Sequence, residues 1–93
     1  MPALFEKNDF GRALGRNCVK TKFVDIDTNS QGYEVTVKLS EFGLKKGDMI
    51  YLDKFHRDHI EVFRNKKCID VLSLDGTQYK NAEKAIGRNF RVR

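Results

Sequence analysis

The sequence predicts an α+β fold, a strongly twisted antiparallel β-sheet carrying one N-terminal helix and a short C-terminal helix. Three observations point there: apolar residues at helical spacing near both ends, period-two alternation between them, and short turn clusters that join successive strands as a meander.

Asn8 or Asp9 caps a helix running to about Arg16, with Phe10, Ala13 and Leu14 as its apolar stripe and Asn17 as its stop. From Val19 the period changes to two. Phe23 and Val24 lead into the turn cluster TNSQG, and Tyr33, Val35 and Val37 then alternate with Glu34, Thr36 and Lys38 as a hairpin. Gly47-Asp48 turns the chain into MIYLD, and HIEVFR and CIDVLSL follow as two further strands. Asp75-Gly76 closes the last of these. Tyr79, Ala82, Ala85 and Ile86 are spaced as a short helix stopped by Gly87, and the basic NFRVR alternates as a final edge strand. Tyr33, Val35, Val37, Ile50, Ile60, Val62, Val71 and Leu74 are the expected core.

With 93 residues, residues 1–93 form a single domain, and seven Phe and three Tyr supply much of what so small a core can bury. No stretch approaches the roughly 18 uninterrupted apolar residues of a membrane span. The opening MPALFEKNDF lacks the basic and apolar pattern of a secretion signal, so a chain that leaves its cell is carried by a larger polypeptide or by export machinery. Cys18 and Cys68 stand apart, without a CxxC or a histidine at zinc-ligand spacing, and read as two separate buried thiols rather than a metal site.

The net charge of +5 is uneven. Residues 1–43 balance six Lys and Arg against six Asp and Glu, whereas residues 44–93 carry twelve against seven. The last ten residues hold Lys84, Arg88, Arg91 and Arg93 with no acid, which suits a polyanionic partner.

Both histidines, His56 and His59, fall in the string DKFHRDHIE together with Asp53, Asp58 and Glu61. An imidazole exchanges protons near neutral pH, and a neighbouring carboxylate orients it and raises its basicity. A divalent metal on the two histidines would need three inward ligands without a second ligand cluster elsewhere, so no metal or other cofactor is expected. In a regular strand His59, Glu61 and Phe63 share one face and Ile60 and Val62 the other, while Tyr51 and Asp53 share a face of the preceding strand. The chain has no GxSxG, no P-loop and no CxxC, which leaves acid–base chemistry on a substrate that brings its own nucleophile. RNA is such a substrate. Its 2′-hydroxyl needs a base, its leaving 5′-oxygen an acid, and the phosphorane between them a cation.

The run GDMIYLDKFHRDHIEVFRNKKCIDVLSLDG, followed at a distance by GRNF, resembles the cytotoxic ribonuclease domain of the ribosome-inactivating colicins and cloacins and of related C-terminal toxin domains of bacterial competition systems. Those domains carry an Asp, a His three residues on, a Glu shortly after it and an Arg near the C-terminus, which map here to Asp53, His56, Glu61 and Arg88. The resemblance covers roughly residues 47–93. Four residues separate His56 from Glu61 where the pattern has three, so either a bulge absorbs the extra residue or His59 is the working histidine.

The resemblance implies a toxin endoribonuclease that cuts small-subunit (16S) ribosomal RNA near the decoding centre without a metal, so that translation stops. The domain would be a monomer delivered as part of a larger secreted toxin, acting in the cytoplasm of a target bacterium, and an acidic immunity protein would protect the producer. Glu61 or a histidine would take the 2′-hydroxyl proton, His56 or His59 would act as acid, Asp53 would orient the imidazole and Arg88 would bind the phosphate. Asp58 joins this cluster as a candidate. Tyr51 and Phe55 would stack on unpaired bases, and Lys84 and Arg91 would track phosphates. Two alternatives are a toxin of the same class that cuts transfer or messenger RNA and a noncatalytic RNA- or ribosome-binding β-domain.

Overall fold

The computed structural model describes residues 8–26, 29–52 and 59–89. It is an α+β fold: helix α1, Asp9–Asn17, precedes five strands, β1 Cys18–Val24, β2 Gln31–Val35, β3 Met49–Leu52, β4 His59–Arg64 and β5 Lys67–Ser73. The strands form one antiparallel sheet in sequence order.

Helix α1 starts where its cap permits. The Asn8 side-chain oxygen accepts from the Gly11 amide at 2.7 Å, and its side-chain nitrogen donates to the Leu74 carbonyl at 3.0 Å, fixing the helix to the end of β5. Nine residues are too few for a stable isolated helix, so α1 depends on packing Phe10 and Leu14, both buried, against the sheet. Truncating such a leucine costs about 2–5 kcal/mol.

Alternation then sorts the sheet into two faces. Val35, Ile50, Ile60, Val62 and Leu72 meet Phe10 and Leu14 on the helix side. Tyr51, Phe63, Cys68 and Val71 lie on the other side, covered by Ala82. A register shift between Val62 and Phe63 makes Ile69 an extra residue in β5. The β4–β5 turn places Asn65 and Lys66 at positive φ (53° and 67°), the backbone of a tight two-residue hairpin.

Three expectations need correction. Strand β2 ends at Val35, because its amide donates to the Asp48 carbonyl at 2.9 Å and its carbonyl accepts from the Gly47 amide at 2.8 Å. Val37 therefore falls beyond the strand and is 45% exposed rather than core. The C-terminal helix shrinks to a 3-10 turn, Ala82–Lys84, and Ile86 is likewise exposed. Its backbone is spent on β5 instead: Tyr79 donates to Val71, Gly87 donates to Cys68, and Cys68 donates to Arg88, all at 2.8–2.9 Å. The expected final strand is a single bridge, Lys67 to Asn89, and residues 90–93 lie outside the described residues. Cys18 and Cys68 are both free thiols, Cys18 half-buried and Cys68 buried. Among the described residues no helix is long and apolar enough to cross a membrane.

Candidate active site

Strand pairing sets Gly32, Tyr51, Glu61 and Val71 side by side across β2 to β5 on the face away from α1. Gly32 is required there. A Cβ at that position would stand 2.8 Å from the Tyr51 ring, so only glycine lets the tyrosine lie across β2. The ring meets Phe63 edge-on, with centroids 5.5 Å apart.

Onto this row the C-terminal segment brings a guanidinium. Gly87, with φ of 92°, turns the backbone, and the amide and carbonyl of Cys68 pin residues 87 and 88 to the edge of β5. From there Arg88 Nη2 donates to Glu61 Oε1 at 2.6 Å and to Asp25 Oδ2 at 2.9 Å. Asp25 directly follows β1, 63 positions earlier in the chain, and its own backbone is held by Ser30 and Asn29 across the β1–β2 turn. Its side chain is 1% exposed, against 12% for Glu61 and 25% for Arg88. The guanidinium carbon also lies 5.1 Å from the Phe63 ring centroid, a cation–π contact.

Each charge registers on its neighbours. Burial opposes the charge on Arg88, yet the hydrogen bond to Asp25 and the charges of Glu61 and Asp25 outweigh it and hold the arginine pKa above its usual value. Burial also raises the Tyr51 phenol, with the Asp25 carboxylate adding to the rise and Arg88 opposing it. Cys68, on the same face, is pushed up to about 11 by burial and then by Glu61.

His59 opens β4 two residues before Glu61 and shares its face, as strand parity requires. Its ring packs on Tyr79, with centroids 4.6 Å apart and planes tilted by 34°. No register shift is recorded between His59 and Val62, so His59 and Glu61 stand at regular strand spacing.

Of the residues proposed from sequence, Glu61 and Arg88 are in contact and His59 flanks them. Tyr51 belongs to the same row, but it is 1% exposed and packed between Gly32 and Phe63, so it offers no face for a base to stack on. Lys84 is exposed on the 3-10 turn. Asp53, Phe55, His56, Asp58 and Arg91 lie outside the described residues. Sequence reasoning missed Asp25. An acid at the end of a strand, ahead of TNS, carries the ordinary signature of a turn residue, and only the fold brings it to Arg88. Among the described residues no three His, Cys, Asp or Glu side chains are grouped as metal ligands. No protein-family model, no curated protein and no solved structure matches the chain.

Proposed function

We propose that the chain is a metal-independent endoribonuclease of the colicin and cloacin type, cutting small-subunit ribosomal RNA by attack of a 2′-hydroxyl on the adjacent phosphate. The observation that carries the reading is the contact between Glu61 and Arg88, 27 residues apart in sequence, on a face that also presents His59. That arrangement supplies the three groups the reaction needs.

A phosphate entering the site competes with Glu61 for the guanidinium, whose fork matches phosphate oxygens. Loss of that bond frees the Glu61 carboxylate to accept the 2′-hydroxyl proton. Arg88 then neutralises the charge that grows on the phosphorane. His59, two residues before Glu61 on the same face of β4, donates a proton to the departing 5′-oxygen. Asp25 keeps the guanidinium in place while Glu61 lets go, because its bond to Nη2 comes from a separate element, the residue after β1. The basic excess of residues 44–93 supports an RNA partner and an acidic immunity protein, with the domain delivered into a target cytoplasm by a larger toxin.

Incubation of the purified chain with intact ribosomes in EDTA, followed by sizing and primer extension of the RNA, tests this directly. The expected product is one cut near the 3′ end of the small-subunit RNA. Anticodon-loop cuts in transfer RNA would reassign the substrate, and salt-sensitive binding without any cut would remove the enzymatic reading.

A further inference from the structure

The face that carries Glu61 and Arg88 continues by one more row toward the β4–β5 turn. Pairing aligns Glu34, Met49, Phe63 and Cys68 beside the row of Gly32, Tyr51, Glu61 and Val71. Neighbours on one face of a strand are two rises apart, about 6.6 Å, comparable to one step of an extended nucleotide chain. Over this second row lies a groove of about 610 Å³, within the roughly 300–1,000 Å³ of small-ligand sites. Phe23, Met49 and Phe63 line it with apolar surface, and Glu34, Asn65 and Lys66 bring polar groups to it. Phe63, in the second row, links it to the first, walling the groove while its ring centroid lies 5.1 Å from the Arg88 guanidinium carbon. Phe23 is 36% exposed, and the Lys22 ammonium lies 5.9 Å from its ring centroid.

A flat, apolar ligand body with an attached anion matches this combination of aromatic wall and flanking lysines, and a nucleotide of a single strand is such a ligand. We propose that the groove is a base subsite, which holds the nucleobase next to the scissile phosphate against Phe23 and selects guanine through Glu34. The inference rests on RNA being the ligand of the Arg88 site. An ionised carboxylate only accepts hydrogen bonds, and guanine presents two adjacent donors, N1–H and the 2-amino group, to its two oxygens. Uracil offers a single N–H between two carbonyl oxygens that the carboxylate repels. Lys22 and Lys66 draw in the backbone phosphates on either side.

Fully 2′-O-methylated six-nucleotide RNAs test the subsite without cleavage, one of them all uridine and the other carrying a single guanine. The guanine oligonucleotide is expected to bind about tenfold more tightly, and to shift the Met49 methyl resonance. Glu34→Gln removes the preference. Phe23→Ala weakens both oligonucleotides about tenfold or more, and Phe23→Trp restores binding; thermal melts confirm that these exposed positions leave the fold intact. Equal affinity of the wild-type chain for the two oligonucleotides, or a Met49 methyl that does not respond, overturns the subsite. Cleavage of ribosomal RNA alongside equal affinities would sink the subsite and leave the ribonuclease standing. Guanine-selective binding by a chain that cuts no RNA would do the reverse.

Discussion

Two arginines of this sheet are held by buried carboxylates, and they are held in opposite ways. Arg64 closes a bidentate pair on Asp48, donating from Nε at 2.8 Å and Nη2 at 2.7 Å, while the Lys45 amide donates to the same Asp48 oxygen at 2.9 Å. One cation meets one anion, and the fork fits. Arg64 also donates to the Gly43 carbonyl, so the pair straps residues 43–48 to β4. Among the described residues, Arg88 instead offers one nitrogen to two carboxylates from two distant elements. Two acids converge on one guanidinium in a partly desolvated place, an arrangement that stability alone does not favour. On the proposed function, what it provides is exchange: an incoming phosphate displaces one acid while the other holds the arginine. On that same proposal, the same chemical pair is a strut when balanced and a reaction centre when it is not.

Breaking each cluster separates these roles. Glu61→Gln keeps the shape of the side chain but removes its basicity, and is expected to lower cleavage of ribosomal RNA by about 10²–10⁴-fold, with little change in a urea midpoint. Asp48→Asn should do the opposite. Leaving Arg64 without its anion costs about 3–5 kcal/mol of stability, read as an earlier urea midpoint, while the turnover of the molecules that remain folded is unchanged. Gly32→Ala sharpens the contrast between strut and centre. Its methyl meets the Tyr51 ring, and relief of that overlap costs about 1–3 kcal/mol. Because Tyr51 lies between Gly32 and Glu61 in the row, the same substitution is expected to slow cleavage, which an equally destabilising change on the helix face would not.

How much of this was legible in the sequence depends on how local the signal is. The capped helix with Phe10 and Leu14 facing in, the turn at Gly47-Asp48 and the parity that puts His59 with Glu61 all follow from spacing over a few residues, and the structure has them. The contact of Arg88 with Glu61 was expected only through the family resemblance. The burial of Tyr51 was not legible, because it is decided by a glycine on a different strand that happens to stand opposite it. Asp25 was invisible for a related reason: its partner comes from the far end of the chain. The short C-terminal helix is present only as the 3-10 turn Ala82–Lys84, because propensity lost to hydrogen bonding: residues 79, 87 and 88 give their backbone groups to β5.

The smallest expected effect concerns pH and follows from the buried thiols and phenol of the sheet. Burial pushes the Cys18 and Cys68 thiols up to about 11 from an ordinary 9.0, and at Cys68 the charge of Glu61 adds to it. An unfolded chain ionises these thiols near 9.0, whereas the folded chain keeps their protons until about 11. Between those values the unfolded state binds fewer protons, so stability falls as pH rises, and the contribution is fully present only below about pH 9. Tyr51, whose phenol is also raised, extends the loss further into alkali. Urea melts at pH 8 and at steps up to pH 11 should show this decline. Cys68→Ala lowers stability at every pH by creating a cavity, so the readout is the slope rather than the height of the curve. A shallower alkaline slope is expected for Cys68→Ala, and an unchanged slope for Asp48→Asn, because the Arg64 pair has no thiol or phenol among its hydrogen-bonded partners.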